Sequence, residues 1–308
     1  MHLTVIALGG NALLRRGQRP TFATQNRNTR LAAKSIVRYI DKYDCGIAIT
    51  HGNGPQVGEE LLRNERARES VAQLPLHILT AETQAFIGSM LESAIMSEAR
   101  ARRIDIKIAT VLTHVVVDVD DPAFMKPSKP IGPFYDRGQL ARALRSGRFD
   151  YVKTGGAFRR AVASPRPIEI LELSLVKKLL DDGCVVICAG GGGIPVANVD
   201  GRMVGADAVI DKDLTTQLLA NGIGADTMVI LTDASHLYAD YSDKRSGIKE
   251  ARVADLERMV DSLEKGSIKP KVEACIRFIR NGGRAAYIGN LFMLNRIMDR
   301  TSGTMISA

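Results

Sequence analysis

Short apolar runs alternate along this chain with longer segments in which apolar residues recur every three or four positions. The first pattern predicts strands, and the second predicts amphipathic helices. The predicted strands are Leu3 to Leu8, Ile47 to Thr50, Val185 to Ala189, Met228 to Leu231 and, as the final strand, Ala285 to Ile288. Helical spacing relates Ala33, Val37 and Ile40, the positions from Leu79 to Ile95, those from Leu171 to Leu180, and those from Val272 to Ile279. The alternation predicts βαβ units around a mainly parallel sheet, and therefore an α/β fold.

Three of the predicted strands end directly in glycines. The glycine segments are Gly9-Gly10-Asn11, His51-Gly52-Asn53-Gly54 and Gly190 to Gly193. Glycine lets backbone N–H groups approach an oxygen that a Cβ would block, and Asn11 and Asn53 add side-chain amide donors. The carboxyl ends of parallel strands meet at one edge of a sheet, where ligands bind. The three segments together predict a crevice that binds phosphate groups.

The periodic pattern breaks between about 114 and 166, a segment called the excursion below. Prolines are frequent there, and only Arg137 to Leu144 is predicted to be a helix. The segment Pro127 to Tyr135 is too apolar and, with its prolines, too stiff for a disordered linker. We expect the excursion to pass over the active site. Taken alone, Lys129, in its stiff part, is better explained as a side chain that faces water.

Two predicted helix starts carry lysines. Pro270 suits the first helical position, which places Lys271 in a first turn that favours anions. The segment Val209 to Leu214 predicts a second helix start, where Lys212 and Asp213 are adjacent and about 100° apart around the axis. We therefore expect them not to pair face to face, but expect the aspartate to orient several lysines toward a shared anion. Solvated surface charge is the alternative for each lysine.

Composition excludes several classes of protein. Of the 308 residues, 45% are apolar and 25% are charged, which is typical of a soluble globular protein. The net charge is +8, but the basic residues are scattered, Trp is absent and no nucleic-acid module is recognisable, so a nucleic-acid partner is not expected. No leader or membrane-spanning segment is evident, which predicts a cytoplasmic protein without a membrane partner. The four cysteines lack the spacing of a metal site or redox pair and are expected to be buried thiols.

The chain lacks the common nucleotide-binding and hydrolase signatures. It has no Gly-x-x-x-x-Gly-Lys-Ser/Thr loop, no His-Arg-Asp loop, no Gly-x-Gly-x-x-Gly fingerprint and no Gly-x-Ser-x-Gly elbow. Seven ordered motifs instead resemble those of the carbamate kinases, in the amino acid kinase superfamily. They are 8–13 (LGGNAL), 50–58 (THGNGPQVG), 81–84 (AETQ), 129–135 (KPIGPFY), 189–196 (AGGGGIPV), 209–214 (VIDKDL) and 270–274 (PKVEA). The resemblance extends over essentially the whole chain.

The resemblance implies a fold, a reaction and an assembly. The fold is a three-layer αβα sandwich with a mainly parallel central sheet and an inserted lid subdomain at about 114–166. The lobe at about 1–220 would hold carbamoyl phosphate, and the lobe at about 221–308 would hold the nucleotide. The reaction is ATP + carbamate = ADP + carbamoyl phosphate, with Mg²⁺ carried by the nucleotide, in a homodimer. A related kinase that phosphorylates another carboxylate, and an inactive anion-binding relative, are the alternatives.

The same resemblance implies roles for individual residues. The catalytic residues would be Lys129, Lys212, Asp213 and Lys271. The carbamoyl phosphate side would be Gly9, Gly10, Asn11, Gly52, Asn53 and Gly54. The nucleotide would be bordered by Thr232, Asp233, Tyr238, Gly266, Ser267 and Pro270. No residue is assigned to a dedicated metal site.

The chain departs from the family pattern at three places. Lys269 stands where a small residue is usual, and its ammonium group would either reach an ADP phosphate or face solvent. The stretch from Gly155 to Pro165 lacks the family's usual aromatic and proline choices, and His114 replaces a common glutamine. These departures concern the lid and the nucleotide contacts rather than the central assignment.

Overall fold

An eight-stranded sheet runs through the middle of the molecule, with helices on both of its faces. The computed structural model describes residues 2–10, 13–14, 17–145, 149–238, 243–263 and 268–308. The strands are β1 Leu3–Leu8, β2 Gly46–His51, β3 Lys107–Thr110, β4 His114–Val116, β5 Lys129–Tyr135, β6 Asp150–Thr154, β7 Ala157–Val162, β8 Glu169–Ile170, β9 Cys184–Ile187, β10 Ile194–Val199, β11 Arg202–Gly205, β12 Thr227–Thr232, β13 Leu237–Tyr238, β14 Gly247–Ile248, β15 Glu250–Arg252, β16 Ala285–Asn290 and β17 Thr304–Ser307.

The α-helices connect these strands. They are α1 Phe22–Lys42, α2 Gly54–Ala67, α3 Leu76–Arg102, α4 Pro122–Met125, α5 Arg137–Leu144, α6 Leu173–Asp181, α7 Lys212–Ile223, α8 Val253–Met259, α9 Lys269–Arg280 and α10 Leu294–Met298. Within the described ranges, no helix is both long enough and apolar enough to cross a bilayer.

The main sheet has the order β15-β17-β16-β12-β1-β2-β9-β3. Every neighbouring pair in it is parallel except β16 and β17. The side chains of β1 show why both faces are covered: Val5 and Ala7 enter one apolar cluster, while Ile6 and Leu8 enter the other. The first cluster includes residues of α6, α7, α8 and α9, and the second includes residues of α1, α3 and α10. The predicted three-layer αβα fold is confirmed.

The sequence placed most strands correctly but missed others. The prediction that Ala285 to Ile288 is the final strand is wrong, because β17 follows it and pairs antiparallel with β16. The helix predicted to open at Val209 begins at Lys212, and Pro270 is the second residue of α9 rather than the first. Inside the excursion α5 spans the residues predicted for it, but four strands, β4 to β7, also lie there.

Most of the excursion folds into a separate antiparallel sheet with the order β5-β7-β6, called the outer sheet below. Its prolines Pro130 and Pro133 lie in β5, which is an edge strand and has no ladder on its outer side. A proline is tolerated there because it removes no hydrogen bond from the interior of the sheet. This is why a proline-rich sequence that broke the helical period still forms a strand.

The outer sheet packs on α2 through a close backbone contact. A Cβ added to Gly58 of α2 would lie 1.9 Å from the Cα of Gly132 in β5, so the helix has no room for a side chain there. Gly132 itself has a φ of +73°, which favours glycine. Beside this contact, Ile131 and Val162 of the outer sheet join a small buried cluster with Val57, Leu76, Leu79 and Val209. The outer sheet is therefore held against the core by apolar packing at its base.

A buried ion pair adds a second attachment between the same elements. The guanidinium group of Arg160, on β7, lies 2.6 Å from Oε1 of Glu65 on α2 and stacks 3.5 Å from the ring centroid of Phe149. Only 5% of Arg160 is exposed. Since a buried guanidinium group loses its hydration, the carboxylate and the aromatic face must both replace it. Arg160 thus ties the outer sheet to α2.

Candidate active site

Three glycine segments meet at the carboxyl edge of the main sheet. A Cβ on Gly52 would lie 2.9 Å from the backbone N of Gly10, and a Cβ on Gly191 would lie 2.3 Å from Nδ2 of Asn53. Gly9 donates its N–H to the carbonyl of Leu231, 2.9 Å away, which fixes the first segment against β12. Because side chains are excluded at these contacts, the backbones approach closely, and the predicted convergence of the three segments is confirmed.

The third glycine segment also contacts the start of α7. A Cβ on Gly192 would lie 2.5 Å from the carbonyl oxygen of Ile210, and the hydroxyl of Thr215 donates to the carbonyl of Gly192 at 2.9 Å. The hydroxyls of Thr50 and Thr216 lie 2.7 Å apart and join β2 to the same helix. These contacts place the first turn of α7 directly beside the glycine crevice.

Asp213, in that first turn, lies between two lysines. Nζ of Lys271 donates to Asp213 Oδ2 at 2.8 Å, and Nζ of Lys212 lies 2.6 Å from Asp213 Oδ1. The expectation that Lys212 and Asp213 do not pair is therefore wrong. Adjacent helical residues point about 100° apart, but the four-carbon stem of lysine is long enough to bend back to its neighbour.

The Lys212 contact is close but poorly directed. Nζ of Lys212 and Oδ1 of Asp213 are both buried, and neither makes a hydrogen bond of acceptable geometry within the described residues. The interaction is an ion pair without a directed hydrogen bond. Donors of an ammonium group thus remain available in a site that is closed to bulk water.

Lys129 enters the same site from the outer sheet. Its Nζ donates to Oδ2 of Asp211 at 2.9 Å, and Oδ1 of Asp211 accepts the backbone N–H of Asp213 at 2.9 Å. Asp211 is the N-cap residue of α7. The structure thus brings the four predicted catalytic residues together and adds Asp211, which the sequence did not single out.

Five charged side chains therefore share one crevice: three ammonium groups and two carboxylates. Burial alone would raise the pKa of Asp213, but Lys212 and Lys271 hold it well below the usual range. Burial lowers the pKa of Lys212, and Asp213 offsets only part of that effect; for Lys271 the attraction of Asp213 outweighs burial and raises the pKa. An excess of one positive charge beside glycine backbone that carries no side chains suits a phosphoryl group.

His51 is a buried neutral group under this crevice. It is 1% exposed, and a Cβ on Gly190 would lie 2.3 Å from its Nε2. Burial, aided by the charge of Lys212, lowers the pKa of His51 to about 4. The imidazole therefore supports the glycine backbone without adding charge.

The residues predicted for the nucleotide lie at the end of β12, in the segment after it and in the first turn of α9. Thr232 ends β12, and the carbonyl of Asp233 accepts from the amide of Asn290 at 2.9 Å. The hydroxyls of Tyr238 and Ser235 lie 2.6 Å apart, and Pro270 is in the first turn of α9. Of the other predicted site residues, Asn11, Gly266 and Ser267 lie outside the described residues, whereas Gly54 is the first residue of α2.

Asn53 is bound more firmly than the sequence suggested. It is 2% exposed, and its Nδ2 donates to the hydroxyl of Thr83 on α3 at 2.9 Å. One of its two amide protons is therefore used within the protein. This bond gives Thr83, in the segment 81–84, a structural role that the sequence analysis did not assign.

The departures from the family pattern have local partners. Nζ of Lys269 donates to Oδ1 of Asp261 at 2.8 Å, so this ammonium group is engaged away from the lysine cluster. Nδ1 of His114 lies 2.7 Å from Oε1 of Glu172. The other carboxylate oxygen, Oε2, accepts the backbone N–H of His114. Of the cysteines, Cys188 and Cys275 are buried as expected, whereas Cys45 and Cys184 are partly exposed.

Comparison with known proteins gives consistent matches. The sequence model of the amino acid kinase family matches residues 2–290. A carbamate kinase of Trichomonas vaginalis is 40% identical over 310 residues, covering 98% of this chain and 98% of its own. A carbamate kinase structure from Giardia lamblia bound to citric acid gives a TM-score of 0.94 at 34% identity and covers 99% of this chain and 98% of that one. A structure of the Giardia lamblia carbamate kinase bound to AMP-PNP gives a TM-score of 0.89, with the same identity and coverage.

The pKa of His51 predicts how stability depends on pH. Its folded value of about 4 lies below the ordinary value of 6.5, so the unfolded chain binds more protons between these values and stability falls as pH drops. The full shift corresponds to about 3 kcal/mol. Equilibrium unfolding in urea from pH 7 to pH 4 should show this loss, and His51→Gln should flatten the curve.

Thr113→Ala is the control for that measurement. Thr113 is fully buried and its Oγ1 accepts from the backbone N of Ala189 at 3.0 Å, so the variant should lower stability equally at every pH. An equally steep acid slope in His51→Gln would contradict the role of His51. The paired carboxylates of Asp211 and Asp213 lose most of their contribution below their ordinary pKa of 3.8, so only a small part of that loss falls within this window.

Proposed function

This chain belongs to the amino acid kinase family and, within it, to the carbamate kinases, and we propose that its buried lysine and aspartate cluster is the centre at which phosphoryl transfer takes place. The reaction is ATP + carbamate = ADP + carbamoyl phosphate, with ATP or ADP as co-substrate. One observation supports placing the reaction at this cluster: three ammonium groups and two carboxylates meet beside three glycine segments.

The proposed mechanism needs no covalent intermediate. A carbamate oxygen attacks the γ-phosphorus of ATP, a new P–O bond forms, and the bond to the bridging oxygen of ADP breaks. The protein holds the reactants in line and neutralises the charge that spreads over the transferred group. Lys212 and Lys271, fixed by Asp213, are placed to do this, and Lys129 completes the set from the outer sheet.

The two substrates are proposed to bind on opposite sides of this cluster. Carbamate or carbamoyl phosphate binds in the lobe at about 1–220, against the segments Gly9-Gly10-Asn11 and Gly52-Asn53-Gly54. The nucleotide binds in the lobe at about 221–308, against Thr232, Asp233, Tyr238 and the loop that leads through Gly266 and Ser267 to Pro270. The close approach of Gly10 and Gly52 supports the first half of this proposal, because no side chain separates the two segments where a small anion would lie against the backbone.

Mg²⁺ is proposed to arrive with the nucleotide phosphates. Among the described residues no group of three His, Cys, Asp or Glu side chains is suited to hold a metal ion. Asp211 and Asp213 are both paired with lysines. A phosphate-borne ion, which would neutralise charge on the nucleotide, fits this donor set better than an all-protein cage.

The outer sheet is proposed to act as a lid. It carries Lys129, which reaches Asp211 at the site, and its docking would exclude water from carbamate and carbamoyl phosphate, which are both labile in solution. The close contact of Gly58 with Gly132 supports this proposal, because the backbones of α2 and β5 can meet in this way only when the outer sheet is docked in one orientation.

The protein is also proposed to be a homodimer that uses one face of α3. Ile78, Phe86 and Met96 lie within about 80° of one another around that helix, and each is more than a third exposed. Ala85, Ser89 and Ser93 line the same face and would let a second helix approach closely. Three large apolar side chains exposed on one helix face favour an interface, and a second copy of the chain would bury them.

Two further expectations remain predictions. The cytoplasmic location is one of them. The other is that the chain is neither a kinase for another carboxylate nor an inactive anion-binding relative.

One assay separates these two alternatives from the proposed carbamate kinase. It compares ATP formation from ADP with carbamoyl phosphate, acetyl phosphate or an acyl phosphate of an amino acid as the phosphoryl donor. If none of the three donors yields ATP, the proposed function is wrong.

We expect Lys212→Ala and Lys271→Ala each to lower kcat about 10²- to 10³-fold, with a smaller change in KM, because their charge matters most in the transition state. ATP formation from ADP and carbamoyl phosphate measures both constants. Lys269→Ala is the matched control, since its ammonium group binds Asp261. Normal turnover in either of the first two variants would remove that lysine from the mechanism.

Lid docking should fail in Gly58→Ala, because the new methyl group would overlap Gly132. Amide hydrogen exchange in β5, β6 and β7 should accelerate, and ADP with a carbamoyl phosphate analogue should no longer slow it as in the wild-type protein. The turnover should fall to that of Lys129→Ala. Gly138→Ala on α5 is the control, since its nearest neighbour would be 3.4 Å from the added Cβ. Wild-type exchange and turnover in Gly58→Ala would refute the lid.

Light scattering of the full chain should give about twice the mass of the 33.4 kDa chain. Phe86→Glu should reduce this to the monomer mass, because it places a charge at the centre of the proposed interface. Leu175→Glu on α6, which is also partly exposed, should leave the dimer intact. A wild-type monomer, or a dimer that Leu175→Glu disrupts and Phe86→Glu does not, would contradict the choice of face.

A further inference from the structure

Asp211 connects the two parts of the site that move relative to each other in the proposed mechanism. It lies in the core, directly before α7, and its Oδ2 accepts from Nζ of Lys129, which belongs to the outer sheet. Its other oxygen, Oδ1, accepts the backbone N–H of Asp213. Because the helix cap fixes one oxygen, the direction of the other is fixed as well. The position of the Lys129 ammonium group is therefore set by the backbone of α7.

The charges around Lys129 show why such a partner is needed. The start of α7 carries the positive end of the helix dipole, and Lys212 is its first residue. Lys271 lies on the far side of Asp213, whose two oxygens are taken up by Lys212 and Lys271. Without the Asp211 carboxylate, Lys129 would meet two ammonium groups and a positive helix end. Its attraction to the site would then depend on a bound phosphate.

From this arrangement we infer that Asp211 is a positioning residue, which holds Lys129 in its catalytic place before the substrates bind. The inference rests on the proposed function, since it concerns the phosphoryl group that Lys129 contacts. Asp211 itself contacts no reacting atom. It acts through Lys129 alone, and a phosphoryl group that arrives competes with Asp211 for the same ammonium group.

Removal of the Asp211 charge should therefore separate kcat from KM. With the carboxylate gone, the excess positive charge of the cluster rises from one to two, which favours an anionic substrate in the ground state. At the same time Lys129 loses its fixed direction, and a misplaced catalytic group costs up to about 100-fold in rate. Asp211→Asn should lower kcat about 10- to 100-fold, while KM for carbamoyl phosphate stays the same or falls. A merely structural defect would instead raise KM and lower stability.

The substitution is suited to the test because asparagine caps a helix about as well as aspartate. Helix α7 should stay capped, and the unfolding midpoint in urea should stay close to that of the wild-type protein. Asp136→Asn is the matched control: Asp136 caps α5 through the backbone N–H of Gln139 at 2.7 Å, and this variant should keep wild-type kcat and KM. Asp211→Ser, which also keeps a capping oxygen, provides a second variant should the first fail to fold.

A double-mutant cycle with Lys129→Ala decides the inference. If Asp211 acts through Lys129, Asp211→Asn should change kcat less than about twofold in the Lys129→Ala background. Independent, multiplicative losses in the double variant would overturn the inference, and so would unchanged kcat in Asp211→Asn alone. A wild-type protein that forms no ATP from ADP and carbamoyl phosphate would refute the proposed function itself, which is a different outcome from either of these.

Discussion

The repulsion among three buried ammonium groups is the constraint on which this site depends. Lys129, Lys212 and Lys271 come from three different elements, and each would be driven apart from the others, and back into water, without nearby carboxylates. The two carboxylates, Asp211 and Asp213, are two residues apart at one helix start. A single turn of α7 therefore determines where the outer sheet, α7 and α9 place their charges.

Close backbone contact is the second requirement of the same site. The glycine segments after β1, β2 and β9 touch one another or the start of α7 at distances that leave no room for a Cβ. Their backbones and the lysines form a rigid pocket with fixed charges, which would cost little reorganisation if a phosphoryl group bound there, as proposed. His51, neutral and buried beneath Gly190, supports this backbone without changing the charge balance.

Sequence patterns predicted the features that depend on local order. Apolar runs with glycine ends are local, so β1, β2 and β9 and the crevice were predictable. Contacts between distant segments could not be predicted in the same way. For example, β17 is only four residues long, and it pairs with β16 only after the chain has folded back. The strands of the excursion were hidden by prolines whose edge position is a property of the sheet. Asp211 looked like an ordinary N-cap, and its second role follows only from the position of Lys129. The angle between adjacent helical positions predicted that Lys212 and Asp213 would not pair. They do pair, because the long lysine side chain bends back to its neighbour.

The base of the outer sheet joins the core through aliphatic side chains, with Ile131 and Val162 packed against Val57 and Val209. Burial of such groups is driven mainly by the entropy of water near room temperature, and this driving force weakens on cooling. The ion pairs of Arg160 and Lys129 do not share that dependence. For the proposed lid, cooling would shift the outer sheet toward an undocked state while its electrostatic attachments persist. The fraction of docked molecules would then limit the rate in the cold, and an Arrhenius plot of turnover would bend downward at low temperature.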